Sequence, residues 1–158
     1  ECNLDKYSDA YFDAWVKSPL CRDNESLEIY LDVNGDRKKF HHFLVNPLTK
    51  NTSEGRRGFR DDPLHPDFGR EDKTWNGKWK IETSIDKARK CWFARITIPF
   101  ATLGTTSPAP GSFWNMNLVR RHYPVGFKDS TTQVSAWSQL PGEDDFGNPE
   151  CYGKLDFQ

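Results

Sequence analysis

"SLEIYLDVNGDRKKFHHFLVN", residues 26–46, alternates apolar and polar side chains on either side of a turn signal. Leu27, Ile29, Leu31 and Val33 stand against Glu28, Tyr30 and Asp32, the period of two that marks a strand with one buried face. The second arm repeats the alternation with Phe43 and Val45 inward, so the adjacent His41 and His42 point to opposite faces. Asn34-Gly35 between the arms is the strongest short hairpin signal, because both residues tolerate positive φ. The same stretch sets Asp32, Asn34 and Asp36 at alternate positions, oxygen donors that can wrap a calcium ion. The turn takes precedence over the calcium site. Asp32 and Asp36 can bond the turn backbone without a metal, no distal bidentate glutamate follows, and Lys38 and Lys39 stand where further ligands are wanted.

Outward from this hairpin, strand signals dominate. "KWKIETSI" sets Trp79, Ile81, Thr83 and Ile85 against Lys80, Glu82 and Ser84, and the polar "DKARK" reverses the chain into "CWFARITIPF". "FWNMNLVRR" and "CYGKLDF" follow, with prolines mostly outside the alternating cores. Helical periodicity is weak: "DKYSDAYFDAWVK" (5–17) fits a turn or two, and "FATLG" (100–104) one turn stopped by Gly104. Residues 50–74 carry charges of both signs and no period, and read as a solvated loop. Short strands separated by turn signals predict an all-β antiparallel sandwich, jelly-roll or immunoglobulin-like, as one domain over residues 1–158.

A chain of 158 residues suits one sizeable core, and a formal net charge of −1 removes any global electrostatic case for nucleic acid or an anionic membrane. No apolar run reaches transmembrane length. Aromatic residues make up 14% of an otherwise hydrophilic chain, with six tryptophans, which large core rings explain and one or two exposed stacking platforms would also explain. Cys2, Cys21, Cys91 and Cys151 lack the spacing of a zinc or redox site, and their even count suits disulfides in an extracellular or periplasmic protein. Of the three possible pairings, the preferred one joins Cys2 to Cys21 across a short loop and Cys91 to Cys151 between two late strands. Sequons at Asn24 and Asn51 are compatible with secretion.

Catalytic signatures are lacking: there is no nucleophile elbow, no His-Glu-x-x-His and no phosphate-cradling glycine loop. The basic clusters "RRGFR" (56–60) and "RRHY" (120–123) read as solvated. The order of "DNESLEIYLDVNGDRKKFHHFLVNP", "WKIETSI", "CWFARITIPFATLG", "PAPGSFWNMNLVRR", "SAWS" and "FGNPECYGKLDF" resembles the family 9 carbohydrate-binding modules and their wider relatives, the DOMON-like β-sandwiches. The resemblance runs from about residue 23 to the C-terminus. It implies two antiparallel sheets, extracellular sugar binding and often bound calcium. Members carry several strands before the one that matches "LEIYLD", whereas about two dozen residues precede it here. The chain is therefore expected to be a fragment, or to take its missing strands from another chain. Some DOMON relatives hold haem through a methionine; the only methionine here, Met116, alternates inward as a core residue.

In the family two tryptophans clamp a terminal sugar. One clamp position falls near Cys21–Arg22, where no aromatic stands, the other falls on Phe146, and the family's strand carboxylate matches Glu28. A pyranose offers an apolar face for rings and a rim of hydroxyls for carboxylate or guanidinium groups. By alternation, Glu28, Tyr30, His42 and Arg121 share the non-core face, and Phe146, in the turn-rich "DDFGNPE", is expected to keep its ring available to ligand. The expectation is a non-catalytic extracellular module binding an oligosaccharide or polysaccharide at Glu28, Tyr30, His42, Arg121 and Phe146. The rival is a structural or adhesive sandwich used in assembly.

Overall fold

The structure, a computed structural model, describes residues 2–3, 25–47, 53–58, 70–89, 91–122, 133–139 and 146–158. The predicted helical turns at 5–17 and the clamp position at Cys21–Arg22 lie outside them. The fold is all-β and antiparallel, with ten strands among the described residues: β1 (Cys2–Asn3), β2 (Ser26–Asp32), β3 (Phe40–Val45), β4 (Ser53–Arg57), β5 (Glu71–Asp72), β6 (Lys80–Asp86), β7 (Cys91–Thr97), β8 (Phe113–His122), β9 (Gln133–Ala136) and β10 (Gly153–Asp156). β1, β7 and β6 form a small sheet. The large sheet runs β10–β8–β2–β3–β4–β5, with β9 also paired to β8. No described helix is long and apolar enough to cross a membrane.

The alternation read from the sequence decides which face meets which. Ile29, Leu31 and Phe43 from the large sheet pack with Trp79 and Ile96 from the small-sheet side. Val45 and Trp92, each wholly buried, continue the core with Ile81 and Ile85. Met116 packs against this core, as its parity requires. Burying such side chains contributes roughly 1.5–3 kcal/mol each, which holds the sheets face to face. Phe100–Leu103 forms the expected single 3-10 turn, ended by Gly104 at φ 70°.

Three expectations fail here. The β2–β3 connection is not a two-residue turn: β2 ends at Asp32, β3 begins at Phe40, and the positive φ angles fall on Gly35 and Arg37. Asp32 shapes this longer loop by accepting bonds from the backbone N–H of Asn34, Gly35 and Arg37. Gly35 is required twice over, by its φ of 67° and because a Cβ there would meet the Phe113 ring at 2.9 Å. Within 50–74, "SEGRR" and "ED" are strands; with no hydrophobic member, β4 has no amphipathic period to read. Cys91 and Cys151 are not joined, and Cys151 carries a free thiol. The two lie toward opposite ends of the sandwich. Cys91 precedes Trp92, whose indole reaches Glu25 at the start of β2, whereas the turn carrying Cys151 receives Arg37 from beyond the end of β2. Cys21, and with it the other pairing, is outside the described residues.

Candidate functional site

The outer face of the large sheet, turned away from the small one, is polar at the level of β2 and β3. Tyr30 stands opposite His42 in the β2–β3 ladder, and the two rings stack 4.2 Å apart with their planes within 8° of parallel. Glu28, two residues earlier on the same face, is 3% exposed. Its Oε2 accepts from the Tyr30 hydroxyl at 2.6 Å and from His42 Nε2 at 3.0 Å. Its Oε1 accepts from Arg121 Nε, on β8, at 2.7 Å. The other ring nitrogen, His42 Nδ1, donates to Glu71 Oε1 on β5 at 2.7 Å. The four groups Glu71, His42, Glu28 and Arg121 thus alternate in charge across β5, β3, β2 and β8.

Glycine makes one of these links possible. Gly55 on β4 lies directly opposite His42, and a Cβ there would collide with the Glu71 carboxylate. Without it, Glu71 lies flat across β4 to reach the imidazole.

The network sets the protonation of its members. Burial pushes the Glu28 carboxyl up, but His42 above all, with Tyr30 and Arg121, outweighs burial and holds it at about 2. Burial pushes the His42 imidazole down, and the hydrogen bonds and charges of Glu28 and Glu71 outweigh that to hold it at about 9. Glu71 is lowered: burial opposes its ionisation, and His42 and then Lys73 favour it more strongly. Burial and the Glu28 carboxylate push the Tyr30 phenol well up, so it remains a donor. At neutral pH the site contains two carboxylates, an imidazolium and a guanidinium, each engaged with an opposite charge.

Beside the network opens a cleft of about 420 Å³, walled by Tyr30, Phe40, His42, Glu71, Arg121 and Phe146, with Arg57, Arg70 and Gly147 at its rim. Arg57 and Gly147 also line a second hollow of about 360 Å³, which reaches Arg37, Lys38 and Pro149.

All five residues named from the sequence for saccharide binding, Glu28, Tyr30, His42, Arg121 and Phe146, therefore meet in one place. Phe146 is not available as expected, however. It is 3% exposed, packed with Tyr30, Phe40, Val119 and Tyr152, and the Arg121 guanidinium lies 4.5 Å over its ring. A turn-rich sequence shows that the backbone bends there, and says nothing of which side of the sheet the ring then covers. Sequence reading missed Phe40, Arg57, Arg70 and Glu71. Phe40 shares parity with His42 and was open to the same argument, whereas the other three belong to the segment without a period.

Asp32, Asn34 and Asp36 do not fit a calcium ion as they stand. Both Asp32 oxygens are taken by N–H donors, three from the loop backbone and one from Asn115 Nδ2 at 2.8 Å. Asp36 Oδ1 accepts from the Lys38 and Lys39 backbone at 2.8 and 3.2 Å. N–H groups occupy the lone pairs that a cation would need. Among the described residues no group of three or more His, Cys, Asp or Glu side chains is placed to hold a metal.

A second buried charge cluster, on the inner side at the start of β2, went unread in the sequence. Glu25, fully buried, accepts from Arg120 Nε at 2.6 Å and pairs with His122 Nδ1 at 2.7 Å. No protein-family model, no curated protein and no solved structure matches this chain.

Proposed function

We propose that this is a non-catalytic, saccharide-binding β-sandwich of the extracellular or periplasmic space, akin to the family 9 carbohydrate-binding modules that its motif order resembles. The observation that carries the reading is the convergence of Tyr30, His42, Arg121 and Phe146 on one cleft of about 420 Å³, with Glu28 buried behind it and bonded to the first three. That volume lies within the range of small-molecule pockets, and the lining mixes ring edges with planar charged groups. The non-catalytic part rests on the state of the candidate acids and bases. Glu28 is held far below a useful base, and His42 is a cation whose two N–H groups are both engaged.

A glycan array followed by calorimetric titration of any hit tests this reading. Gly147→Trp would fill the cleft from its rim, since a Cβ at Gly147 has only ordinary contact with Phe40 at 3.7 Å and Arg57 at 4.0 Å. A dissociation constant in the high micromolar to millimolar range is expected, about −4 to −6 kcal/mol. Gly147→Trp should abolish binding and leave the melting temperature in place. Binding to no glycan, or binding indifferent to Gly147→Trp, overturns the proposal.

The burial of Phe146 favours one other reading, a structural or assembly sandwich in which this face is an internal brace. Sedimentation that shows concentration-dependent association, together with an empty glycan array, is its signature.

A further inference from the structure

The cleft lacks what a neutral sugar site needs most, a free ring face. The Tyr30 face is covered by His42, the Phe146 face by Arg121, and Phe40 is 3% exposed with its edge against Tyr30 and Tyr152. Stacking a pyranose requires an open aromatic plane. What the cleft does hold open is positive charge. Inside, Glu28 and Glu71 are balanced by His42 and Arg121.

Around the rim the described residues show no such balance. Arg57 stands directly opposite Glu71 in the β4–β5 ladder, yet that carboxylate turns to His42. Arg57 and Arg70 are both exposed, and neither side chain has an ion-pair partner among the described residues. In the adjoining hollow, Lys38 is exposed, and the Arg37 guanidinium binds the main-chain carbonyls of Pro149, Glu150 and Tyr152 and has no carboxylate partner among the described residues. A chain with net charge −1 thus sets Arg57 and Arg70 at the cleft and Arg37, Lys38 and Arg57 at the hollow beside it. Guanidinium groups are planar and pair with carboxylate or sulfate through two parallel hydrogen bonds.

We propose that the cleft takes an acidic saccharide, whose carboxylate or sulfate is bound by Arg57 and Arg70 at the rim. The inference rests on the saccharide-binding reading of the same cleft and narrows its ligand to an anionic class. Recognition is then led by charge-assisted hydrogen bonds. Sugar hydroxyls would meet the Glu71 and Arg121 edges, and the adjoining hollow, with Arg37 and Lys38, would receive a second acidic residue of a chain.

The test is titration calorimetry of the whole chain at low salt with matched probes. They are a galacturonic acid trisaccharide and its methyl ester, a sulfated glucosamine–uronate disaccharide and its desulfated form, and an oligothymidylate as a polyanion without sugar acids. At least one acidic probe should bind about tenfold or more tighter than its neutral counterpart, the effect of losing one charge-assisted contact. Preference for the uronate or the sulfate assigns the anion. Arg57→Gln and Arg70→Gln should each weaken that probe about tenfold without moving the melting temperature, because both side chains are exposed. Binding should also fall as salt rises. Equal binding of acidic and neutral probes overturns the anionic inference and leaves saccharide binding standing. No binding by any saccharide overturns both. Binding of oligothymidylate as tight as the acidic sugars, through the same arginines, replaces the inference with nucleic-acid binding.

Discussion

His41 and His42 are neighbours on β3, yet burial, reinforced by the Arg56 charge, depresses His41 to about 4 while Glu28 and Glu71 hold His42 at about 9. At neutral pH one is an uncharged ring and the other a cation. The strand's pleat is the whole difference between their positions. His41 points to the inner side, opposite Leu31 and 4.9 Å from the Trp75 ring, in surroundings that penalise charge. His42 points to the outer side, between two carboxylates. Between these two histidines the sheet therefore separates two surroundings, apolar rings around His41 and a charge lattice around His42 that shapes the cleft.

Removing the centre of the lattice should do most to erase the contrast. Glu28→Ala leaves Arg121, His42 and the Tyr30 hydroxyl without their shared acceptor on a buried face. The cost expected is about 3–5 kcal/mol, the usual penalty for breaking a buried charge pair from one side. Denaturant unfolding measures it, and NMR should find the His42 titration moved well below 9 while His41 stays near 4. A loss under about 1 kcal/mol would show that solvent reaches these groups.

The pH dependence of stability sharpens the comparison, because the two histidines pull in opposite directions. His42 has a folded value above its ordinary 6.5, so its contribution is complete below 6.5 and fades as pH rises through about 9. His41 has a folded value below 6.5, so its contribution is complete above 6.5 and fades as pH falls through about 4. Glu28, held at about 2 against an ordinary 4.5, adds a further loss as pH falls from 4.5 through 2. Stability should therefore peak near pH 6.5, with each histidine limb falling by about 3 kcal/mol. Urea midpoints from pH 3 to 10 read the curve. His42→Gln should flatten the alkaline limb and, because His42 does most to lower Glu28, shrink the Glu28 part of the acid limb while leaving the His41 part in place.

What the sequence made legible follows from the same pleat. Parity along β2 and β3 is local, so Glu28, Tyr30 and His42 could be assigned to one face from their spacing alone, and Arg121 joined them through the alternation of β8. Phe146 was reached through motif order, and the expectation that its turn-rich loop leaves the ring available failed, because the ring is buried under Arg121. Glu71 and Arg57 depend on β4 and β5 folding back beside β3, a long-range pairing that polar strands do not announce. The hairpin loop escaped for a related reason. Asn34-Gly35 permits a tight turn, but a buried Asp32 that collects three loop N–H groups and Asn115 stabilises a longer one. The Cys91–Cys151 pairing failed because sequence spacing carries no information about opposite ends of a sandwich.

The smallest expected effect isolates a single link of the lattice. Gly55→Ala places a methyl where the Glu71 carboxylate now lies over β4. The obstacle is the far end of a flexible side chain and Gly55 has no positive φ, so the strand itself can accept alanine and Glu71 must swing away. His42 then keeps Glu28 and loses its other carboxylate. Its titration, followed by NMR, should drop below 9 and remain above the ordinary 6.5, because the bond to Glu28 persists. The stability cost should be about 1 kcal/mol, offset in part because alanine orders a strand at lower entropic cost than glycine. Released from His42, Glu71 lies beside its ladder partner Arg57, and a new pair there would lower the positive charge of the rim. An unchanged His42 titration would mean that Glu71 reaches the ring by another path and that Gly55 is not what opens the way. A His42 that falls to 6.5 would instead make Glu71, and not Glu28, the group that keeps the outer face charged.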